Sequence, residues 1–284
     1  MIDRRTFLAT SLIGLACAAP ASAGAGASFR FGLTPVFLTN DRELLARMQA
    51  YLEGTLTRPV ELVQRRTYQE ITAMLLAGQL DAAWICGFPY VVHRDALALV
   101  AVPVWRGQPL YRAYLIAART RQARTLLDLR GDIHAFSDPD SNSGYLVTRT
   151  RLARLDLAPA DFFTRTFFTY GHRNVVRAVA TGLADSGSVD GYVWEALART
   201  EPELVDRTKV IWRSQLLGFP PVACRRENVD DPDIRLLRRA LLDIGKSPIG
   251  RETIEMLQLD GFTLAEPQLF DGIAEQVRFL SERA

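Results

Sequence analysis

The sequence predicts an α/β protein whose sheets are mostly parallel. From Phe29 onward, short apolar runs alternate with amphipathic segments, the pattern of successive βα units. The chain has 284 residues, 48% of them hydrophobic, which is ample for a core and suggests one large or two modest domains.

Phe29 to Leu33 reads as the first strand, followed by a helix from about Asp41 to Leu56. Val60 to Gln64 is a second strand, and Gln69 to Ala77 a helix in which Ile71, Met74 and Leu75 share one face. Asp81 to Ile85 is a short third strand ending in Cys86-Gly-Phe-Pro-Tyr90, a turn at the carboxyl edge of the sheet. Leu97 to Trp105 and Tyr111 to Ala118 form a longer pair leading away from this unit. A second unit begins at Leu126-Leu-Asp-Leu-Arg-Gly131 and holds strands at Asp132 to Phe136, Phe162 to Thr169, Ser186 to Val189 and Val210 to Arg213, with a helix from Asn174 to Thr181. The return segment has a strand in Gly218-Phe-Pro-Pro-Val-Ala-Cys224, then helices at Asp233 to Ile244, Arg251 to Leu257 and Pro267 to Leu280. There is no repeat of fixed period.

The segment Phe136-Ser-Asp-Pro-Asp-Ser-Asn-Ser-Gly144 lies where a strand hands over to a helix. Ser141 and Ser143 are N-cap candidates there. The first turn of a helix carries unpaired N–H groups and the positive end of the peptide dipoles, so such a turn can hold a phosphate-sized anion without lysine or arginine. The same serines could serve only to cap the helix, and both readings stand at this point. Lys plus Arg exceed Asp plus Glu by two, 34 against 32, and are spread along the chain, so charge implies neither nucleic acid nor an anionic membrane as partner.

Asp3-Arg-Arg-Thr-Phe-Leu8, the apolar stretch Leu12 to Ala19 and the small-residue run Ala21-Ser-Ala23 resemble a twin-arginine export signal, residues 1–23, with a mature start near Gly24. Lipidation at Cys17 ranks below soluble release, because Gly14 stands where a lipoprotein signal usually has leucine. Cys86 and Cys224 then remain. In an oxidising compartment they can pair or stay as two separate buried thiols. His93 at an apolar helix start and His134 inside a strand read as structural, and the four tryptophans as core. No metal-ligand spacing and no phosphate-loop lysine motif is present, and no cofactor is expected.

Gly32-Leu-Thr-Pro35, Tyr68 with its helix, Gly78-Gln-Leu-Asp81, Leu126 to Gly131, Ser141-Asn-Ser-Gly144, Gly171-His172, Gly182-Leu-Ala-Asp185 and Val189-Asp-Gly-Tyr-Val193 occur in a familiar order. From about Phe31 to Leu242 the chain resembles the phosphate-, phosphite- and phosphonate-binding periplasmic components of ABC transporters, within the type II solute-binding proteins. The resemblance implies two lobes, residues 28–118 plus 214–284 and residues 119–213, joined by two crossover strands with ligand in the cleft between them, and closure by a hinge. It implies a monomer in the periplasm that delivers its ligand to a membrane permease.

It also implies a set of ligand-binding residues. Ser141, Asn142, Ser143 and Gly144 supply hydroxyl and amide donors, His172 faces the anion, and Tyr68 and Tyr90 approach from the opposite lobe. Neutral donors suit a desolvated dianion, and His172 is expected to add a positive charge if ligand raises its pKa. Asp190 would need a proton between itself and the anion, selecting a ligand that carries P–OH over sulfate; alternatively it caps a helix starting at Gly191. The acidic residues that hold an ammonium group in aminoalkylphosphonate binders are replaced here by Tyr192 and Phe219-Pro-Pro221. The expected ligand is therefore phosphate, phosphite or a simple phosphonate. Three rivals stand beside it: a Ser143–His172–Asp190 hydrolase, which lacks a Gly-x-Ser-x-Gly elbow, a sensing module acting through a membrane kinase, and a binder of some other small carboxylate or sulfonate in the same scaffold.

Overall fold

The computed structural model describes residues 28–35 and 42–283. The export segment 1–23, Cys17 and the expected helix start at Asp41 lie outside the described residues. The first unit runs β1 (Phe29–Leu33), α1 (Arg42–Leu56), β2 (Val60–Gln64), α2 (Tyr68–Leu76), β3 (Ala82–Trp84), α3 (Gly87–Val92) and β4 (Leu97–Val104). The chain crosses over through β5 (Leu110–Tyr111). It then builds β6 (Ala113–Ala118), β7 (Ile133–Phe136), α4 (Val147–Ala153), α5 (Pro159–Phe162), β8 (Arg165–Phe168), α6 (His172–Ala180), β9 (Ser186–Asp190), α7 (Gly191–Thr200), α8 (Pro202–Val205) and β10 (Thr208–Arg213). It returns through β11 (Leu217–Gly218), β12 (Val222–Arg225), α9 (Pro232–Leu242), α10 (Pro248–Leu257), β13 (Gly261–Thr263) and α11 (Asp271–Ser281).

Two sheets result. One has the order β13-β4-β12-β3-β1-β2 and the other β10-β6-β9-β7-β8, and where the chain passes between them β5 and β11 pair antiparallel. Parallel pairing is confined to β2-β1-β3 and β8-β7-β9; the strands that enter from the crossovers pair antiparallel, so both sheets are mixed. The parallel portions are where βα units repeat, and that is the part a local pattern can report. Buried apolar side chains fill both lobes, with Phe29, Phe31, Ile71 and Ala83 beneath the first sheet and Phe136, Leu152 and Phe162 beneath the second.

Three local differences have physical causes. The expected turn Cys86 to Tyr90 continues as helix α3, with Cys86 as its N-cap residue. The expected long strand Phe162 to Thr169 is shortened because Pro159 opens helix α5, leaving Arg165–Phe168 to pair with β7. Strand β13 was not expected; three residues carry no periodicity, and its place is set by pairing with β4. Cys86 and Cys224 are both free and buried, which resolves the cysteine alternatives in favour of separate thiols.

Candidate functional site

The site assembles where the two lobes meet. Tyr68 is placed by a capping box: Thr67 Oγ1 accepts the Glu70 N–H at 3.2 Å, and Glu70 Oε2 accepts the Thr67 N–H at 2.9 Å. This fixes the first turn of α2 and turns the Tyr68 ring into the interlobe boundary, where it is fully buried against Cys86. Its backbone N–H donates to Asp138 Oδ2 of the other lobe at 3.2 Å.

Facing it, the chain leaves β7 and enters a π-helical turn, Asn142–Leu146, that continues into α4. Ser141 is the N-cap residue, and its Oγ accepts the Gly144 N–H at 3.0 Å. The Asn142 N–H donates to Cys86 Sγ at 3.3 Å and its Nδ2 to Tyr111 Oη at 2.8 Å, which ties the turn to the first lobe and to the crossover. Ser143 hydrogen-bonds the same Tyr111 hydroxyl. Gly144 is required at its position: a Cβ there would overlap Ser137 Oγ and stand 2.6 Å from Ser137 Cβ. Ser137, Ser141, Asn142 and Ser143 are at most 1% exposed.

His172 opens α6. Its Nδ1 accepts the backbone N–H of Asp190 at 3.1 Å, and its Nε2 lies 3.2 Å from Tyr68 Oη. A ring nitrogen that accepts an amide proton cannot carry one, so the bonded network assigns the proton to Nε2, which donates to the Tyr68 oxygen. Tyr68 then keeps its own phenolic proton for a further acceptor. Burial lowers the His172 pKa to about 3. Without ligand the ring is therefore a neutral donor; the positive charge is expected only where a bound anion raises that pKa.

Asp190 divides its two oxygens. Oδ1 accepts the N–H groups of Tyr192 at 2.8 Å and Val193 at 3.4 Å, capping α7, while Oδ2 is buried with no partner. Burial raises its pKa to about 7. The capping role is thus present on Oδ1, and Oδ2 is left over. Ser137 Oγ and Asn142 Oδ1 are likewise buried and unpartnered. Buried polar atoms without partners are uncommon in native proteins, and three of them occur in this one cluster.

Of the residues singled out in sequence, Tyr68, Ser141, Asn142, Ser143, Gly144, His172 and Asp190 come together. Tyr90 and Tyr192 stand apart. Tyr90 packs on Phe270, with ring centroids 4.9 Å apart, within the field of Arg226 and Arg94. Tyr192 packs between Trp105 and Phe219, and its hydroxyl donates to the Leu257 carbonyl of the first lobe. Both lie on helices, α3 and α7, whose geometry turns their rings away from this cluster. Sequence reasoning missed Tyr111, Cys86 and Ser137. Tyr111 reaches the site only because β5 crosses between the lobes, and no local signal carries that; Ser137, in the serine-rich loop itself, was legible.

The hydrolase arrangement is not assembled. His172 Nε2 pairs with Tyr68 rather than Ser143, and Nδ1 accepts a backbone amide rather than donating to the Asp190 carboxylate. Among the described residues no cluster of His, Cys, Asp and Glu could hold a metal, and no helix is long and apolar enough to cross a membrane.

His134 sits behind the site, fully buried, with Nδ1 2.8 Å from Ser186 Oγ and Nε2 2.9 Å from Ser188 Oγ; burial lowers its pKa to about 3. Both depressed histidines have the same sign: the unfolded chain takes up their protons near pH 6.5, the folded chain only near pH 3. Stability from these groups is complete above about pH 6.5 and falls as pH drops toward 3. Asp190 acts in the opposite sense, since the folded chain takes up its proton near pH 7 and the unfolded chain only near 3.8. The histidine contribution is therefore read as a difference: His134→Gln should lose less melting temperature than the native chain as pH drops over that window, and an unchanged slope would mean the ring titrates alike in both states.

A family model described as the periplasmic substrate-binding protein of a phosphonate ABC transporter matches residues 31–270. The phosphonates-binding periplasmic protein of Escherichia coli is 28% identical over 197 residues, 67% of this chain, and a phosphate-import protein of Mycolicibacterium smegmatis is 27% identical over 184 residues, 59% of this chain. The chain's matches span 58% and 56% of those two relatives' own lengths. In three dimensions, a binding-protein component of an ABC phosphonate transporter from Pseudomonas aeruginosa superposes with a TM-score of 0.81 at 24% identity, covering 89% of this chain and 86% of the other. That likeness carries the two-lobed periplasmic-binding-protein fold.

Proposed function

The chain belongs to the periplasmic substrate-binding proteins of phosphonate ABC transporters, and from that premise we propose that it captures a small phosphorus oxyanion between its lobes and delivers it, as a monomer, to a membrane permease. Phosphate, phosphite and simple phosphonates are the ligand class. The observation that carries this reading is the meeting of Tyr68 and His172 across the lobe boundary beside a helix start, with the Ser137 hydroxyl buried and free to donate, and with Asp190 Oδ2 free to accept a ligand P–OH. The ligand would receive donors from the Ser141 and Ser143 hydroxyls of the turn and from the Tyr68 hydroxyl, all uncharged, with the helix dipole supplying the positive field.

Asp190 sets the proton count. Oδ2 and a ligand oxygen can approach only with one proton between them; a ligand with a P–OH group brings that proton, whereas sulfate must take it from the acid form of Asp190. Phe219, packed on Tyr111 of the site with ring centroids 5.6 Å apart, stands where an ammonium-holding carboxylate would be needed, which favours ligands without an amine. Export by the twin-arginine route completes the reading.

A thermal-shift panel of phosphate, phosphite, methylphosphonate and sulfate tests it. At a ligand concentration of about 100 Kd, binding to the folded state adds about 2.7 kcal/mol of stability. The shift is expected with the phosphorus oxyanions and is expected to vanish in Ser141→Ala/Ser143→Ala, whose unliganded stability should fall by only about 1 kcal/mol for the lost cap. An undiminished shift in that variant would refute the site, and a hydrolysed product in the mixture would return the enzyme reading.

A further inference from the structure

Away from the cleft, a second cavity of about 250 Å3 lies between α4, the return crossover and the C-terminal helix α11. Its walls include Thr150 and Arg151 of α4, Trp212 and Leu217 on the way back to the first lobe, and Gln276 of α11. Arg151 lies over the Trp212 indole, its guanidinium carbon 4.4 Å from the ring centroid. Among the described residues no carboxylate pairs with it, whereas its neighbour Arg154 pairs with Glu275 at 3.1 Å. The Nε of Arg151 is buried and unpartnered. Thr150, 1% exposed, also leaves its hydroxyl without a partner, although a helical threonine ordinarily returns that bond to the preceding turn.

The Arg151 guanidinium, half-buried with its Nε enclosed and without a counter-ion, and a buried hydroxyl without an acceptor both lose free energy relative to water. Burial also loosens the hold of Arg151 on its proton, the mark of a cation in poor solvation. One unpaired cation is balanced by one negative charge. Stacking on indole leaves the guanidinium edge open to a planar two-oxygen acceptor, and the enclosed Thr150 hydroxyl becomes a second donor when the side chains over it shift to admit the ligand. The remaining wall is mixed: Val147, Leu155 and Leu217 give apolar ground, and Ser214 and Gln215 are polar. Ligand pockets run from about 300 to 1,000 Å3, so this one admits only a short chain.

We propose that this cavity is an accessory site for a small aliphatic monocarboxylate, its carboxylate held by Arg151 and the Thr150 hydroxyl and its tail lying on Val147 and Leu217. Because the walls come from both lobes, an occupant favours the juxtaposition of α4 and α11 seen here.

Calorimetry of the full chain with butyrate, in a buffer free of other carboxylates, should give saturable binding of one per chain. Arg151→Gln should weaken it by about tenfold or more, the loss of a charge-assisted pair, and Thr150→Val by less; circular dichroism and melting temperature report that each variant is folded. Arg151→Lys, which keeps the charge and loses the fork, should fall between them and stands in if the Gln variant does not fold. The Ser141→Ala/Ser143→Ala protein should bind butyrate as the native chain does, so failure of the oxyanion reading and failure of this one are separable. Absence of saturable binding of butyrate and of hexanoate, or binding undiminished in the Arg151 variants, overturns the site.

Discussion

Gly144→Ala is expected to abolish oxyanion binding and to destabilise the unliganded protein. A methyl group at this position overlaps Ser137 Oγ and comes within 2.6 Å of Ser137 Cβ. The neighbour cannot rotate away freely, because the two residues are also bonded through their backbones, Ser137 N–H to Gly144 C=O at 3.2 Å. Overpacking of a well-packed site costs about 1–3 kcal/mol, and here the strain falls on the turn whose amides would hold the ligand. Ser137→Gly removes the two closest clashing atoms and leaves only Ser141 Oγ, 2.9 Å from the new methyl, so the double variant should regain part of the stability. Denaturant midpoints of the two single variants and the double one measure the coupling; additive losses would mean that the clash is not the cause.

Tyr68→Phe is expected to weaken binding of methylphosphonate or phosphite by about 10- to 100-fold, the value of one hydrogen bond to a charged acceptor. The phenol accepts from His172 Nε2 and holds its own proton for the ligand, so its removal deletes a donor and leaves the His172 N–H without its acceptor. His172→Ala should cost less in the Tyr68→Phe background than in the native chain, since each group acts through the other. Calorimetry on the four proteins of that cycle decides it. Unchanged affinity in Tyr68→Phe would remove the first lobe's hydroxyl from the site, and a strictly additive cycle would mean the two residues act independently.

How much of this was legible depends on the range of the interaction concerned. Strands β1 and β2 were bounded correctly because alternation and turn residues are local. The 141–144 turn was legible for the same reason: its serines, asparagine and glycine perform helix-start chemistry wherever they sit. Residues whose role depends on distant pairing were not. Tyr111 meets Asn142 only through the crossover, and Cys86 meets the Asn142 amide only because the lobes lie together. Tyr90 shows the converse error, since a tyrosine in the expected segment is carried by α3 onto Phe270 instead. The charge state of His172 also required coordinates, because it turns on which atom its Nδ1 meets.

The strand order has a consequence for biogenesis. The five-stranded sheet is made from one unbroken stretch of chain, whereas β12, synthesised more than a hundred residues after its neighbours β3 and β4, must lie between them. During translation the inserted lobe can therefore close first, while the outer lobe waits with open strand edges on both sides of the gap. The interval between ribosomal emergence of residue 104 and that of residue 225 is thus the period in which a nascent chain of this protein is most exposed to misassociation, and in which a chaperone holding those edges would matter most.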